Sequence, residues 1–150
     1  MANPTKNSPV AEQVKDLLTS DTTPVALKCA KVALAALDTG GGVLAWQNPE
    51  SVAVMVVRIA VDVTTKSTAA CTVDAGTAAD ATTTGDTLID GLDVGTATGL
   101  FDNITDKGVN GKSIKRLDAK GSTTDYVTIS KATGAAAGLV GSAYIYYSEV

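Results

Sequence analysis

The residues best suited to chemistry are six aspartates between residues 74 and 102. Carboxylate oxygens are the ligands that Ca²⁺ prefers, so one interpretation of these residues is a calcium site. The segment lacks EF-hand spacing, however, and aspartates beside Gly or Thr in turns normally accept hydrogen bonds from nearby backbone N–H groups. We therefore favour a structural role and expect no bound metal. The six are Asp74, Asp80, Asp86, Asp90, Asp93 and Asp102.

The sequence lacks the side chains that enzymes most often use for catalysis. The chain has no histidine, the residue that most often serves as general base or metal ligand. A serine or cysteine nucleophile would therefore lack its partner. Glycoside hydrolysis needs two carboxylates beside the sugar, and Trp46 and Phe101 are the only Trp and Phe available as an aromatic platform. The segment 111–113 (Gly-Lys-Ser) lacks the earlier glycine of a phosphate-binding loop. The sequence predicts a protein that is not an enzyme and holds no cofactor.

The net charge and the length of the apolar runs limit the classes of partner that the sequence predicts. A net charge of −4 argues against a dedicated nucleic-acid binder, which needs a basic footprint. The small basic patch of Lys112, Lys115 and Arg116 is interpreted as a solvated strand face. The longest apolar runs, such as Val52–Val57, are too short to span a bilayer. We therefore expect neither nucleic acid nor a membrane as a partner.

The first residues lack the apolar core of a secretion signal, which indicates an intracellular product or one released without such a signal.

Two local motifs carry little functional information. Cys29 and Cys71 lie in apolar, strand-like contexts, where a thiol behaves as a small hydrophobic side chain. An intracellular origin disfavours a disulfide between them, although the sequence leaves their pairing open. The segment 103–105 (Asn-Ile-Thr) matches a glycosylation acceptor. Without a secretion signal, we interpret that match as chance.

The composition favours strands. Hydrophobic residues make up 45% of the 150 residues but aromatic residues only 4%, so Ala, Val and Thr supply most of the bulk. Branching at Cβ restricts χ1 and fits a pleated surface.

The length suits one domain. We assign residues 1–24 to an N-terminal arm with a short helix, and residues 25–150 to a β-sandwich domain. The predicted helix starts at Ser8-Pro9, and its apolar stripe consists of Val10, Val14, Leu17 and Leu18.

The clearest strand is Ser51–Thr64. Its second half alternates between apolar residues and the polar or small residues Arg58, Ala60 and Asp62, as expected for a sheet with one wet face. Its first half is apolar on both faces. Regular alternation places Val52, Val54 and Val56 on the second face, so we expect a partner subunit or the N-terminal helix to cover them.

The remaining pattern completes a sandwich. Strands are predicted at 30–37, 43–46, 69–74, 113–117, 126–130 and 139–147, with residues 65–68 closing a hairpin. Residues 75–111 are too long for one structureless loop and should form short strands or turns joined by polar side chains. Seven or eight short strands at this spacing predict an all-β, antiparallel β-sandwich that is jelly-roll-like, with a short N-terminal helix or arm.

Three tyrosines near the end allow two interpretations. Tyr144, Tyr146 and Tyr147 are suited to an interface, because tyrosine offers a large contact area with few rotatable bonds. The same residues also fit a strand that alternates between core and surface. The sequence leaves both open.

Several segments together resemble a family of viral proteins. These are Trp46–Glu50, the strand ending Asp62–Thr65, Val73–Ala78 and Ile89–Thr96. They resemble small virion proteins of tailed bacteriophages, notably capsid decoration (cement) proteins and head-fibre proteins with a β-sandwich or jelly-roll body. The likeness covers about residues 30–147 and consists of turn and strand patterns.

The resemblance implies a mechanical role. Such a protein is made in the host cytoplasm, forms a homo-oligomer, expected to be a trimer, on the capsid surface of the virion, and stabilises the head by bridging subunits of the major capsid protein. The alternative is a carbohydrate- or surface-binding module of a head fibre or receptor adhesin, in which the acidic loops hold Ca²⁺. The candidate interface residues are Val52, Val54, Val56, Tyr144, Tyr146 and Tyr147, with Val10, Val14, Leu17 and Leu18 from the predicted helix.

Overall fold

The computed structural model describes residues 26–35 and 41–150, in which the chain forms nine strands and no helix. That part of the chain accordingly holds no helix able to cross a membrane. The arm and helix predicted for residues 1–24, with Val10, Val14, Leu17 and Leu18, lie outside the described residues. The strands are Lys28–Ala33 (β1), Gly42–Gln47 (β2), Val54–Thr65 (β3), Cys71–Ala78 (β4), Ile89–Asp93 (β5), Gly99–Asp102 (β6), Lys115–Leu117 (β7), Tyr126–Gly134 (β8) and Val140–Glu149 (β9).

The strands form two antiparallel sheets. Sheet A has the order β1-β9-β3-β6, with β7 pairing along β3 beyond the end of β6, and sheet B has the order β2-β8-β4-β5. The first strand pairs with the last, β2 with β8, β3 with β6 and β4 with β5. This is the nested pairing of a long hairpin folded over on itself, which is a jelly roll. The predicted fold class is confirmed.

The core between the sheets consists of small and branched side chains. Ile59 and Ile145 of sheet A and Val127 and Ile129 of sheet B are at most 1% exposed. Such side chains fill the space of about 10 Å between packed sheets without large aromatic rings. At one end of the core the rings of Trp46 and Tyr147 lie 5.1 Å apart between centroids.

Strand β3 contains a bulge that reverses its alternation. Val56 pairs with Tyr147 and Arg58 with Tyr146, so Val57 is an extra residue opposite β9. An extra residue in one strand shifts the inward and outward alternation by one position. Even-numbered residues therefore face the core before Val57, and odd-numbered residues face it afterwards.

The bulge corrects the interface predicted on β3. Val54 and Val56 are fully buried in the core, as are Ile59, Val61 and Val63 further along the strand. A partner subunit is not needed to cover Val54 and Val56, so their assignment to an interface is wrong. Val52, which precedes the strand, is 41% exposed and is the one member of that trio at the surface.

The hairpin predicted at residues 65–68 is also wrong. Strand β3 belongs to sheet A and β4 to sheet B, so this connection crosses between the sheets. Ser67 is buried within the crossing, where its backbone N–H donates to the carbonyl of Val94 (2.9 Å). A polar turn satisfies a hairpin and a crossover equally well, so local turn chemistry does not select the pairing partner. The short strands and turns predicted for residues 75–111 are confirmed.

Asn103 supports β3 beside the bulge. Its side-chain Oδ1 accepts a hydrogen bond from the Ile59 N–H (2.8 Å), and its own N–H donates to the Ile59 carbonyl (3.3 Å). Its Nδ2 donates to the carbonyls of Lys112 and Ser113 (both 2.9 Å). The side chain is fully buried, so in the folded chain it does not accept a glycan. One amide thus joins β3, the end of β6 and the segment before β7.

We expect Asn103→Ala to be among the most destabilising single substitutions. It leaves the Ile59 N–H and two carbonyls without partners, and each buried polar group left unsatisfied costs about 1–3 kcal/mol. The free energy of unfolding, measured with urea, should fall by roughly 3 kcal/mol or more. The matched control is Asn110→Ala at an exposed asparagine, with a loss of at most about 1 kcal/mol. Equal losses for the two variants would contradict this role of Asn103.

Candidate interaction surface

Part of the outer face of sheet B is covered by the chain itself. The connection 79–88 between β4 and β5 lies across it, where the Thr128 hydroxyl donates to the Thr83 carbonyl (3.0 Å). Gly76 of β4 makes this approach possible, since a Cβ there would lie 2.5 Å from the carbonyl carbon of Gly85. Thr128 is consequently 1% exposed although it points away from the core. This part of the face is not available to a partner, whereas Ala45 and Thr133 on the same face stay exposed.

The outer face of sheet A carries an open depression that is larger than the one of about 180 Å³ beside Ala45 on sheet B. Tyr144 of β9 lies between Lys31 of β1 and Ala60 of β3, and Asp62 of β3 lies opposite Leu100 of β6. Ala60 has the smallest side chain in this group. The depression has a volume of about 340 Å³ and is lined by Arg58, Ala60, Asp62, Leu100, Tyr144 and Tyr146, and we refer to these six residues as the A face.

One charge pair orders the edge of the A face. Arg58 forms an ion pair through Nη2 with Asp102 of β6. Burial by itself raises the pKa of the Asp102 carboxyl, but hydrogen bonds from the backbone N–H groups of Thr105 and Ile104 (both 2.8 Å) and from Arg58 outweigh it and lower the pKa to about 2. Arg58 is therefore held in place by a carboxylate that stays charged well into acid.

Two further charges on this side of sheet A have different surroundings. Among residues 26–35 and 41–150, the Asp62 carboxylate accepts no side-chain hydrogen bond and forms no ion pair. The Lys31 ammonium lies 5.5 Å from the centroid of the Tyr144 ring, a cation–π contact worth about 0.5–1 kcal/mol at an exposed site. The A face thus presents Arg58, whose position is fixed by Asp102, and Asp62, whose carboxylate has no partner among the described residues. It also presents Tyr144, which contacts Lys31 on one side.

The structure separates the three tyrosines predicted for an interface. Tyr144 and Tyr146 are half-buried on the A face. Tyr147 points into the core, is 6% exposed, and donates its hydroxyl to Glu50 (3.4 Å). Successive residues of a strand point to opposite faces, so Tyr146 and Tyr147 cannot share one interface. The assignment of Tyr147 to a contact surface is wrong.

The start of β1 is fastened by an ion-pair cluster. The Lys28 ammonium contacts Glu149 at the end of β9 (2.5 Å) and Glu50 before β3 (2.6 Å). Hydrogen bonds to Glu149 and Glu50 raise the pKa of Lys28, and the bond from Lys28 lowers the pKa of Glu50. These contacts hold an edge strand in place and form no cleft.

Three of the six aspartates, Asp80, Asp93 and Asp102, accept hydrogen bonds from backbone N–H groups two or three residues later, as predicted. The other three accept from residues at least 17 positions away along the chain, which the sequence did not predict. Within the described ranges no group of three or more Cys, Asp or Glu side chains is placed to hold a metal ion. Bonds from Thr82 and Thr83 lower the pKa of Asp80 to about 2. The bonds are Asp74 from Gly91, Asp80 from Thr82 and Thr83, Asp86 and Asp90 from Asn110, Asp93 from Gly95 and Thr96, and Asp102 from Ile104 and Thr105.

The cysteines and the basic patch provide no site. Both cysteines are free thiols, with Cys29 exposed on β1 and Cys71 buried on β4. Burial raises the pKa of the Cys71 thiol, so it is an unreactive core residue. In the basic patch, the exposed Arg116 pairs with Asp118, which agrees with a solvated strand face.

The sequence identified part of the A face. The wet side of β3 was predicted at Arg58, Ala60 and Asp62, and the tyrosines of β9 were singled out separately. What was missed is that they adjoin, together with Leu100, because the pairing of β3 with β9 and β6 is not encoded locally. Val52 does not line the A face.

We expect Asp102 to stabilise the fold in a pH-dependent way. A carboxyl with a lowered pKa in the folded chain contributes stability above its ordinary pKa of 3.8, and this is lost as the pH falls towards about 2. Asp102→Asn should therefore unfold at lower urea than the wild type at pH 7, and the gap should narrow between pH 4 and pH 2. Val109→Ala, at a residue 90% exposed, is the control. A gap that is unchanged at low pH would contradict the role of the Asp102 charge.

Comparison of the chain with models of protein families, with curated proteins and with solved structures found no match in any of the three.

Proposed function

We propose that the chain is a non-enzymatic structural protein of a bacteriophage particle. In this proposal it self-associates on the outer surface of the capsid and stabilises the head by bridging subunits of the major capsid protein. The observation that carries the proposal is the contrast between the two outer faces of the jelly roll. One is partly covered by the chain's own loop, whereas the other presents tyrosine, arginine and an exposed leucine.

The composition of the A face supports a contact between proteins. Tyr and Arg are enriched at interfaces and among the few residues that carry most of the binding energy. Leu100 adds apolar area, since it is 62% exposed. Jelly rolls occur in viral capsid proteins, lectins and cupins, and a fold alone does not select among them. The likeness of Trp46–Glu50 and Ile89–Thr96 to phage decoration proteins favours the capsid role.

Attachment to a capsid needs no tight single contact. When several copies are held on a repeating lattice, each further contact forms at a high effective concentration, so weak contacts together give stable attachment. Self-association and capsid binding thus reinforce each other. The resemblance puts the oligomer at three copies, and that number stays a prediction.

A carbohydrate-binding module is the second candidate. A depression with aromatic walls and a few polar groups is also typical of a small-molecule site, and Tyr144, Tyr146, Arg58 and Asp62 supply both. The calcium-dependent form of this candidate has less support, because the six aspartates already accept hydrogen bonds from the chain itself.

Co-sedimentation with phage heads tests the proposed function. Heads assembled without this protein should bind it saturably, at a copy number fixed by the capsid lattice, and should then better resist rupture by heat or osmotic shock. A chelator should have no effect. Tyr144→Ala should weaken binding, with Val109→Ala as the exposed control. Absence of binding to such heads, together with binding to immobilised glycans that Tyr144→Ala abolishes, would favour the carbohydrate-binding candidate.

A further inference from the structure

The A face has charges arranged so that it can pair with a second copy of itself. Beyond the bulge, β3 presents Arg58, Ala60 and Asp62 outwards. Residues two apart on a strand are separated by about 6.5 Å, so the Cα atoms of Arg58 and Asp62 lie at equal distances on either side of Ala60. The Arg58 guanidinium reaches towards Asp102, which pairs with Ala60. A two-fold axis above Ala60, parallel to the sheet and perpendicular to β3, exchanges these two positions.

We propose that two copies of this chain pack face to face through the A face about such an axis. Arg58 of each copy then lies opposite Asp62 of the other, which gives two identical ion pairs. A contact of this kind is isologous, because the same patch is used on both copies. The inference rests on the self-association proposed above and specifies its surface, and its two-fold symmetry gives a dimer in place of the trimer that the resemblance implies.

The neighbouring strands fit the same axis. Tyr144 pairs with Ala60 within sheet A, so it lies near the axis and meets Tyr144 of the second copy. Tyr146 pairs with Arg58 and Ser142 with Asp62, so Tyr146 lies against Ser142 of the second copy. The large side chain thus faces the small one.

An apolar side chain adjoins the ion pairs. Leu100 lies opposite Asp62 on β6 and is 62% exposed in the single chain. The same rotation brings Leu100 of each copy to the side of Arg58 of the other, so the contact removes apolar area from water.

Charge also selects the orientation. An axis parallel to β3 would place Arg58 against Arg58 and Asp62 against Asp62, and like charges facing each other are repulsive. In the proposed pair Lys31 and Asp102 each meet their own counterpart, because Lys31 pairs with Tyr144 and Asp102 with Ala60, in the row over which the axis runs. The charge of Asp102 is compensated by its ion pair with Arg58. Lys31 lies two strands away from β3, where packed sheets diverge and water screens the charges. Arg58 retains donors for Asp62, because a guanidinium has five N–H groups and Asp102 engages it through Nη2.

The size of the face indicates a weak pair. Five residues of β3 across four strands cover about 16 by 19 Å, or roughly 300 Å² per copy. Stable complexes bury about 1,200–2,000 Å² in total. We therefore expect pairing in solution at concentrations on the order of 0.1–1 mM, and at lower concentrations where copies are held together on a capsid.

Reciprocal charge reversal tests the pair. Arg58→Asp leaves two acids and Asp62→Arg two arginines on the A face, so each variant alone should pair at least about tenfold more weakly than the wild type. An equimolar mixture of the two should pair again, and the double variant should do so alone. Sedimentation equilibrium in low salt gives the masses. Lys120→Asp, an exposed charge reversal outside the A face, should pair like the wild type.

The folding of the variants is followed by circular dichroism, because Arg58→Asp also removes the ion pair with Asp102. If Arg58→Asp does not fold, the test uses Asp62→Arg and Tyr144→Glu, and each of these two variants must weaken pairing. A wild type that stays monomeric at about 1 mM, or a trimer insensitive to these substitutions, would overturn the inference. Variants that fail to pair and also bind phage heads more weakly than the wild type support both the pair and the proposed function. A wild type that pairs as expected but binds no head supports the pair and contradicts the proposed function.

Discussion

At Val57, β3 has one residue more than its partner β9, and this extra residue decides what the protein buries and what it presents. With regular alternation, burying Val54 and Val56 would also turn Arg58 towards the core, where an unpaired charge is costly. The bulge resolves the conflict, since both apolar halves of the strand reach the core while Arg58 and Asp62 stay outside. Asn103 stabilises the arrangement by completing the hydrogen bonds of Ile59 with its own backbone and side chain.

The distinction between the two outer faces follows from this strand and from one glycine. On sheet B, the missing side chain of Gly76 lets residues 79–88 approach and cover part of the face. On sheet A, the residues beyond the bulge alternate outwards beside the tyrosines of β9 and form an open surface with both charges and aromatic rings. A jelly roll with such an open outer face is suited to docking against other proteins, which is the physical basis of the proposed capsid role.

The sequence determined the class of fold better than its pairing. Alternation in β9 and in the second half of β3 predicted strands and a wet face. The local hydrogen bonds predicted for the aspartates form at Asp80, Asp93 and Asp102, whereas Asp86 and Asp90 bind the distant Asn110. The bulge could not be predicted from the sequence. Residues 52–57 are apolar on both faces, so they fit a regular strand and a bulged strand equally well. Residues 65–68 are polar whether they close a hairpin or cross between sheets. The sequence does not distinguish Tyr147 from Tyr144 and Tyr146, because the register of β9 depends on its pairing with other strands.

Methyl NMR of the valines and isoleucines of β3, with a soluble paramagnetic probe, tests the bulge most directly. The structure predicts that the methyl signals of Val54 and Val56 are as well protected as those of Ile59, Val61 and Val63, whereas those of Val57 are attenuated. Attenuated signals for Val54 and Val56 with protected signals for Val57 would show a regular strand. That result would contradict both the burial pattern and the A face that depends on it.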